Sequence, residues 1–419
     1  MFTRIEARRF RSLQGVDQSL GPFRALVGPN GSGKTTFLDV IAFLSDLVRN
    51  RGDVRKTVLD RSFTFQKLVW MGLGNSFQLA VEAEVPEAVR QSMAEAKRRF
   101  SRVRYEIEVA LDQSNEVGLE HETLWLIEPP DGSRLTQPRL EFPKPPGLRP
   151  SLSVTSGPSR RAAITKKPGG NDNYYPEGRK SYMPSFKLGR TKSALAHVPA
   201  DVDSFPVSSW FRDLLDTGVQ TFALNGQAIR QPSAPGAGRR FVPDGSNLPW
   251  VVDGLRSHRL RFQQWLGHVK TALPDVLDID TVERPEDRHR YLVLSYANGA
   301  KVPSWLVSDG TLRLLALTIP AYLPDLTGTF LIEEPENGIH PRAIETVIQS
   351  LSSIYTGQVL LATHSAVALN MVEPRNLLCF AKDASGATDI VSGDEHPALR
   401  DWKQGQPDLG VLFAAGILS

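Results

Sequence analysis

Apolar and polar residues alternate along Phe2–Phe10 as they would in a half-buried strand. Phe23-Arg24-Ala25-Leu26-Val27 is a short β-prone run that stops at Gly28. The period then changes. From Lys34 to about Asn50, Phe37, Val40, Ile41, Leu44 and Leu47 recur on one face, which predicts a helix. Ser76–Val85, Ser101–Asp112 and Glu120–Ile127 read as further strands in antiparallel pairs. His258–Lys270 reads as a helix and Arg290–Tyr296 as a strand. After Val307 strands and helices alternate densely: helix Thr311–Ile319, strand Thr329–Ile332, helix Pro341–Ile354, strand Gln358–Ala362. That alternation predicts an α/β fold with a parallel sheet and crossover helices.

The pattern weakens near Glu128. Pro129-Pro130-Asp131-Gly132 reads as a turn, and Pro143–Gly189 is rich in Pro, Gly, Ser and basic residues. The chain of 419 residues therefore divides into four expected parts. Residues 1–128 form an N-terminal lobe with an antiparallel β subdomain, and 129–205 an irregular basic insertion. Residues 206–300 are a linking helical and β segment, and 301–419 a C-terminal lobe. The formal charge of +3 is unevenly spread. Pro143–Leu195 holds 11 Lys/Arg against 2 Asp/Glu, so the rest of the chain is net negative. Such a stretch is either a contact for a polyanion such as DNA or a solvated loop. No apolar run reaches the roughly 18 residues that cross a bilayer, and Met1–Glu6 has no signal-like core. The single cysteine, Cys379, excludes an internal disulfide and a multi-cysteine zinc site. The expectation is a cytoplasmic protein with no membrane partner. There is no sustained heptad pattern and no fixed-period repeat.

Gly28-Pro29-Asn30-Gly31-Ser32-Gly33-Lys34-Thr35 matches G-x-x-x-x-G-K-[ST] in full. Glycines let the backbone curl so that the N–H groups of Asn30, Gly31, Ser32, Gly33 and the residues up to Thr36 can face phosphate oxygens. Lys34 would reach the terminal phosphates and Thr35 would ligate Mg²⁺. Far along the chain, Phe330-Leu331-Ile332 runs into Glu333 and Glu334. Ligands of an open parallel sheet gather at the carboxyl ends of its strands. Glu333 is therefore expected near the metal, acting through a bound water, and Glu334 beside the attacking water. Val359–Ala362 ends at Thr363-His364-Ser365, which puts His364 at the same edge as a sensor of the γ-phosphate. Ser308-Asp309-Gly310-Thr311 opens a helix, and a small polar residue with a glycine at a helix start can bind an anion. A plain N-cap at Ser308 or Asp309 is the simpler alternative.

This order of motifs resembles the ABC-type ATPase heads of the SMC/RecF-like and OLD-like families, and in particular stand-alone bacterial AAA family ATPases of that group. The matching pieces are Phe10–Leu13, Gly28–Thr36, Val307–Leu314, Leu331–Pro341 and Ala362–Ser365. The resemblance implies a P-loop NTPase with an ABC ATPase-like head, ATP and Mg²⁺ as cofactors, and ATP hydrolysis. It further implies a homodimer in which Ser308 and Gly310 of one head contact the γ-phosphate on the other head's phosphate loop. Glu336–His340 would link the two sites. A glutamine lining the site is also usual in such families, with Gln66 and Gln78 both open. The 55 residues after His364 are too few for a Toprim nuclease, and coiled-coil arms are absent. These departures favour the ATPase half of an anti-phage defence pair with a separate effector nuclease or Toprim-like protein. A RecF-like DNA-repair ATPase and a nucleotide-dependent scaffold with little turnover are the alternatives.

Overall fold

The computed structural model describes residues 1–129, 139–144, 147, 151–180, 182–400 and 408–418. Residues 130–132 of the expected turn lie outside them. Among the described residues seventeen strands make three sheets. The middle layer is a six-stranded sheet ordered β10-β14-β15-β3-β16-β17. Its strands are β10 (Val219–Phe222), β14 (Gly328–Glu333), β15 (Gly357–Ala362), β3 (Phe23–Val27), β16 (Leu377–Lys382) and β17 (Thr388–Ser392). All neighbours pair in parallel except the β16–β17 hairpin. The runs Phe330-Leu331-Ile332 and Val359-Leu360-Leu361 are apolar throughout because both faces are covered. Leu26, Leu331, Leu360, Leu378 and Phe380 point to one core. Ala25, Val27, Phe330, Ile332, Val359, Leu361 and Cys379 point to the other.

The first core lies under α1 (Lys34–Arg49), whose other side packs on an eight-stranded antiparallel sheet. That sheet runs β2 (Leu13–Ser19), β1 (Phe2–Phe10), β4 (Ser76–Glu84), β5 (Arg102–Leu111), β6 (Val117–Ile127), β7 (Arg160–Lys166), β8 (Asp172–Tyr174), β9 (Ser185–Phe186). Alternation gives it two unlike faces. Ile5, Leu79, Val81, Val103, Ile107 and Leu124 face α1. Glu6, Gln78, Glu82, Arg104 and Glu106 fill the other face, where Arg104 bonds Glu6 at 2.7 Å, Glu106 at 3.0 Å and Glu82 at 3.3 Å. Burial works against the Arg104 charge, but Glu6 and Glu106 outweigh it and raise the guanidinium above its ordinary value, so it stays charged.

The stretch 129–205, expected to be irregular throughout, supplies β7, β8 and β9 of this sheet. Its strands are short, and one charge pair among them is internal rather than solvent-facing: Lys166 is buried against Asp172 at 2.6 Å. A charged residue inside a strand hides the apolar period. Arg139 and the Lys144 N–H both bond Asp389 on β17, so the start of this stretch straps onto the central sheet.

The second core is closed by α2 (Leu248–Arg256), α3 (Arg259–Ala272), α4 (Asp309–Thr318) and α5 (Pro341–Ser352). A small antiparallel sheet of β11 (Val276–Glu283), β12 (Arg290–Tyr296) and β13 (Lys301–Pro303) packs beside them. The layers thus interleave the sequence: β3 from the first hundred residues sits between β15 and β16 from the last hundred. Among the described residues no helix is long and apolar enough to cross a membrane.

Candidate active site

The carboxyl ends of β3, β14 and β15 lie side by side, since β15 pairs with both of the others. The loop after β3 is the glycine-rich one. Gly28, Gly31 and Gly33 hold φ of 153°, 74° and 108°, and no side chain caps α1, so its first N–H groups stay open to a ligand. Close approach demands glycine here too. A Cβ on Gly28 would sit 2.2 Å from the Phe380 carbonyl oxygen, and one on Gly33 would sit 2.4 Å from Thr388 Oγ1. Asn30 and Gly31 are exposed, Ser32 is buried, and Thr36 lies half-buried in the first turn of α1. Ser32 Oγ is buried without a partner. Lys34 Nζ donates to the carbonyls of Gly28 at 2.7 Å and Pro29 at 3.0 Å, curled over its own loop. Burial, against the pull of Glu334 and Glu333, lowers the Lys34 ammonium to about 8.

Thr35 Oγ1 donates to Glu333 Oε2 at 2.5 Å, so the two expected metal residues meet. Glu334 follows in the left-handed region, φ 47°. A non-glycine residue there costs about 1–3 kcal/mol, and such strain collects at functional sites. Its N–H is tied to the Ala362 carbonyl at 2.8 Å and its Oε2 accepts from Asn337 Nδ2 at 2.5 Å. The other oxygen, Oε1, lies 3.8 Å from His364 Nε2. Desolvation first and then Lys34 lower the histidine, against Glu334 and Glu336, which keeps the ring neutral at neutral pH. Lys34, Thr35, Glu333, Glu334 and His364 are therefore brought together.

Among the described residues, Ser308 and Gly310 make no hydrogen bond to this cluster. Ser308 caps α4, accepting from the Thr311 N–H at 3.2 Å, and Gly310 is pressed on the next loop, where a Cβ would meet the Gly338 oxygen at 2.5 Å. Among the described residues no hydrogen bond joins either to the phosphate loop of the same chain. Of the two open glutamines, Gln78 is committed to the polar face of the antiparallel sheet, bonding Glu108 at 3.0 Å and the Leu152 N–H at 2.8 Å. Gln66 is exposed.

Two participants were not expected from the motifs alone. Glu336 Oε1 accepts from both Thr363 Oγ1 and the His364 N–H at 2.8 Å. The second is the β16–β17 hairpin, which buttresses the phosphate loop through Thr388 Oγ1 on the Ser32 carbonyl at 2.8 Å. The repeated Glu in Glu333-Glu334-Pro335-Glu336 was a visible signal for the first. The hairpin carried none, because Thr388 lies 356 residues from Ser32 in sequence and only the fold brings them together.

The donors present suit a nucleotide triphosphate with a divalent cation: a glycine cradle at a helix start, an ammonium, a hydroxyl beside a carboxylate, and an unpartnered buried hydroxyl at Ser32. No cluster of three or more protein metal ligands occurs among the described residues.

Comparisons with known proteins bear on the family and the fold. The chain is similar over 93% of its length to an SMC head bound to the C-winged helix domain of ScpA (TM-score 0.51, 14% identity, 97% of that chain). It is similar over the same share to an SMC head with an extended coiled coil bound to the C-terminal domain of ScpA from Pyrococcus furiosus (TM-score 0.50, 11% identity, 96% of that chain). At these identities the likeness is one of fold. A stretch of 41 residues is 51% identical to an OLD nuclease of Thermus scotoductus (strain ATCC 700910 / SA-01), covering 10% of this chain and 8% of that protein. A family model described as "AAA domain, putative AbiEii toxin, Type IV TA system" matches residues 23–370, from the first strand of the central sheet to past His364. The chain belongs to that AAA-domain family, with the α/β fold of an ABC ATPase-like head of the SMC/OLD-like group.

Proposed function

We propose that the protein binds and hydrolyses ATP as a homodimeric switch. The observation that carries this reading is the 2.5 Å contact between Thr35 and Glu333, residues 298 apart in sequence, beside Lys34 and Glu334. Bound Mg·ATP would supply the phosphoanhydride and the charge neutralisation. The backbone N–H groups from Asn30 to Thr36 and the Lys34 ammonium hold its phosphates. Thr35 and Glu333 would hold the Mg²⁺, Thr35 directly and Glu333 through a water, and the ion would supply charge neutralisation at the phosphates. Glu334 orients the attacking water and takes up its proton, and the neutral His364 ring hydrogen-bonds the terminal phosphate. Ser308 and Gly310 serve the partner's site, in keeping with the lack of any hydrogen bond from either to its own phosphate loop among the described residues. The family description, which names a toxin–antitoxin system, and the short match to a nuclease favour the ATPase component of an anti-phage defence pair that gates a separate effector. Steady-state phosphate release, wild type against Glu334→Gln, tests the chemistry. Turnover in the wild type and its loss in a variant that still binds ATP supports the reading, and absence of ATP binding in the wild type overturns it. ATP binding without turnover would favour the scaffold alternative.

A RecF-like role on duplex DNA has one observation in its favour. Arg161, Lys167, Arg179 and Lys187 are exposed and have no carboxylate partner among the described residues. Other cations of the same stretch, among them Lys166, Lys180, Arg190 and Lys192, are in ion pairs.

A further inference from the structure

Glu336 has no role in the reading above, which assigns chemistry to Glu333 and Glu334 only. Its setting is unusual for a carboxylate three residues beyond a strand end. Oε1 takes two hydrogen bonds at 2.8 Å, from Thr363 Oγ1 and from the His364 N–H, while Oε2 is buried with no partner. Thr363 Oγ1 in turn accepts from the Ser365 N–H at 3.0 Å, and Ser365 caps the helix Ala366–Asn370 through the Ala368 N–H at 3.3 Å. One carboxylate oxygen therefore organises the whole turn that presents the His364 ring. Hydrogen bonds to an ionised acceptor are about twice as strong as neutral ones, so this is a firm lock.

The same residue belongs to a second rigid piece. The Asn337 N–H bonds the Glu334 carbonyl and the Ile339 N–H bonds the Glu336 carbonyl, each at 3.0 Å. These two turns make 334–339 one body with Glu334. That body touches the start of α4: Gly338 lies against Gly310, and Arg313, held by Asp309 at 2.7 Å, reaches the Asn337 carbonyl at 3.4 Å.

We infer that Glu336 is a positioning residue of the ATP site, clamping the turn that carries His364 to the loop that carries Glu334 and abuts the Ser308–Gly310 helix start. The inference rests on the ATPase reading given above. Among the described residues Glu336 makes no hydrogen bond to the phosphate loop, so its clamp acts on the geometry of hydrolysis rather than on nucleotide binding. It also ties His364, which serves the chain's own site, to the helix start that serves the partner's.

The test compares wild type, Glu336→Ala, Glu336→Gln, His364→Ala and the Glu336→Ala/His364→Ala double variant of the full chain. Each is measured for ATP dissociation constant, kcat and thermal midpoint. Glu336→Ala should lower kcat by about tenfold to a hundredfold with the dissociation constant within about twofold, the signature of an interaction spent on the transition state. Glu336→Gln keeps an oxygen for both donors and should recover most of that loss, although its Nε2 enters the space where Oε2 finds no partner. The double variant should be no slower than His364→Ala alone, because residues that act as a unit are non-additive. Wild-type kcat in Glu336→Ala overturns the inference. So does a double variant slowed by the product of the two single losses, or a Gln variant as slow as Ala at an unchanged thermal midpoint. Wild-type protein that binds no ATP would instead sink the ATPase reading itself.

Discussion

The two large sheets use charge in opposite ways. In the antiparallel sheet, charged side chains sit in mid-strand and are spent on one another: Glu6, Glu82 and Glu106 surround Arg104, whose side chain is 3% exposed. In the central sheet the interiors of β14 and β15 carry no charge, and charge appears where β14 ends, at Glu333 and Glu334, both exposed. Mid-strand charge is satisfied by neighbouring strands and becomes structure. Strand-end charge has no strand beyond it and remains available for chemistry. α1 is common to both, packed by its flank on the first sheet and presenting its N-terminus at the edge of the second.

The contrast can be broken from either side. The largest effect is expected from Arg104→Met. It leaves three carboxylates without their common cation, and removing one partner of a buried charge cluster costs about 3–5 kcal/mol. Denaturant unfolding should show that loss, while ATP affinity per folded molecule stays at the wild-type value. A matching loss of ATP affinity would show that the two sheets are not separable. Lys34→Ala should do the reverse. Nucleotide affinity should fall at least about a hundredfold, since a charge-assisted bond to phosphate is removed, with little change in unfolding midpoint. Equilibrium titration with a fluorescent ATP analogue checks it.

Much of this contrast was readable from residue order. The phosphate loop, the Glu pair and the histidine each follow a short apolar run, and the β3, β14 and β15 runs are where the alternation placed them. Local pattern is enough there because a buried parallel strand has no solvent face to confuse it. β7–β9 were not readable, because Lys166 and Asp172 look like solvent-facing residues until each is seen to satisfy the other. β10 was likewise hidden: four residues, Val219–Phe222, carry too little pattern, and their place beside β14 comes from tertiary pairing. Glu336 was seen only as part of a loop, since its partners lie 27 and 28 residues away across the strand ends.

A smaller effect sharpens the description of the site. With Lys34 lowered to about 8, its charge is complete below that pH and is lost above it. ATP affinity should therefore hold from pH 6 to 7 and decline above 8, by at most about tenfold per unit. Bound phosphate will move the midpoint upward. Affinity that rises with pH over that range would contradict the assignment of Lys34. The smallest effect concerns the exposed cations. Replacing Arg161, Lys167, Arg179 and Lys187 together by Gln should flatten the salt dependence of any DNA binding, by about 0.9 for each phosphate that is no longer neutralised, without changing ATP turnover.

The shared-site dimer is tested most directly by sedimentation of Glu334→Gln with and without Mg·ATP. Among the described residues neither Ser308 nor Gly310 is hydrogen-bonded to its own phosphate loop, and on the shared-site reading each site is half-built in one chain. A nucleotide that binds the closed form better than the open one must drive association. The expected result is a monomer, or a weak dimer, without nucleotide and a stable dimer with it. A strict monomer at micromolar concentration with ATP bound would contradict the dimeric switch.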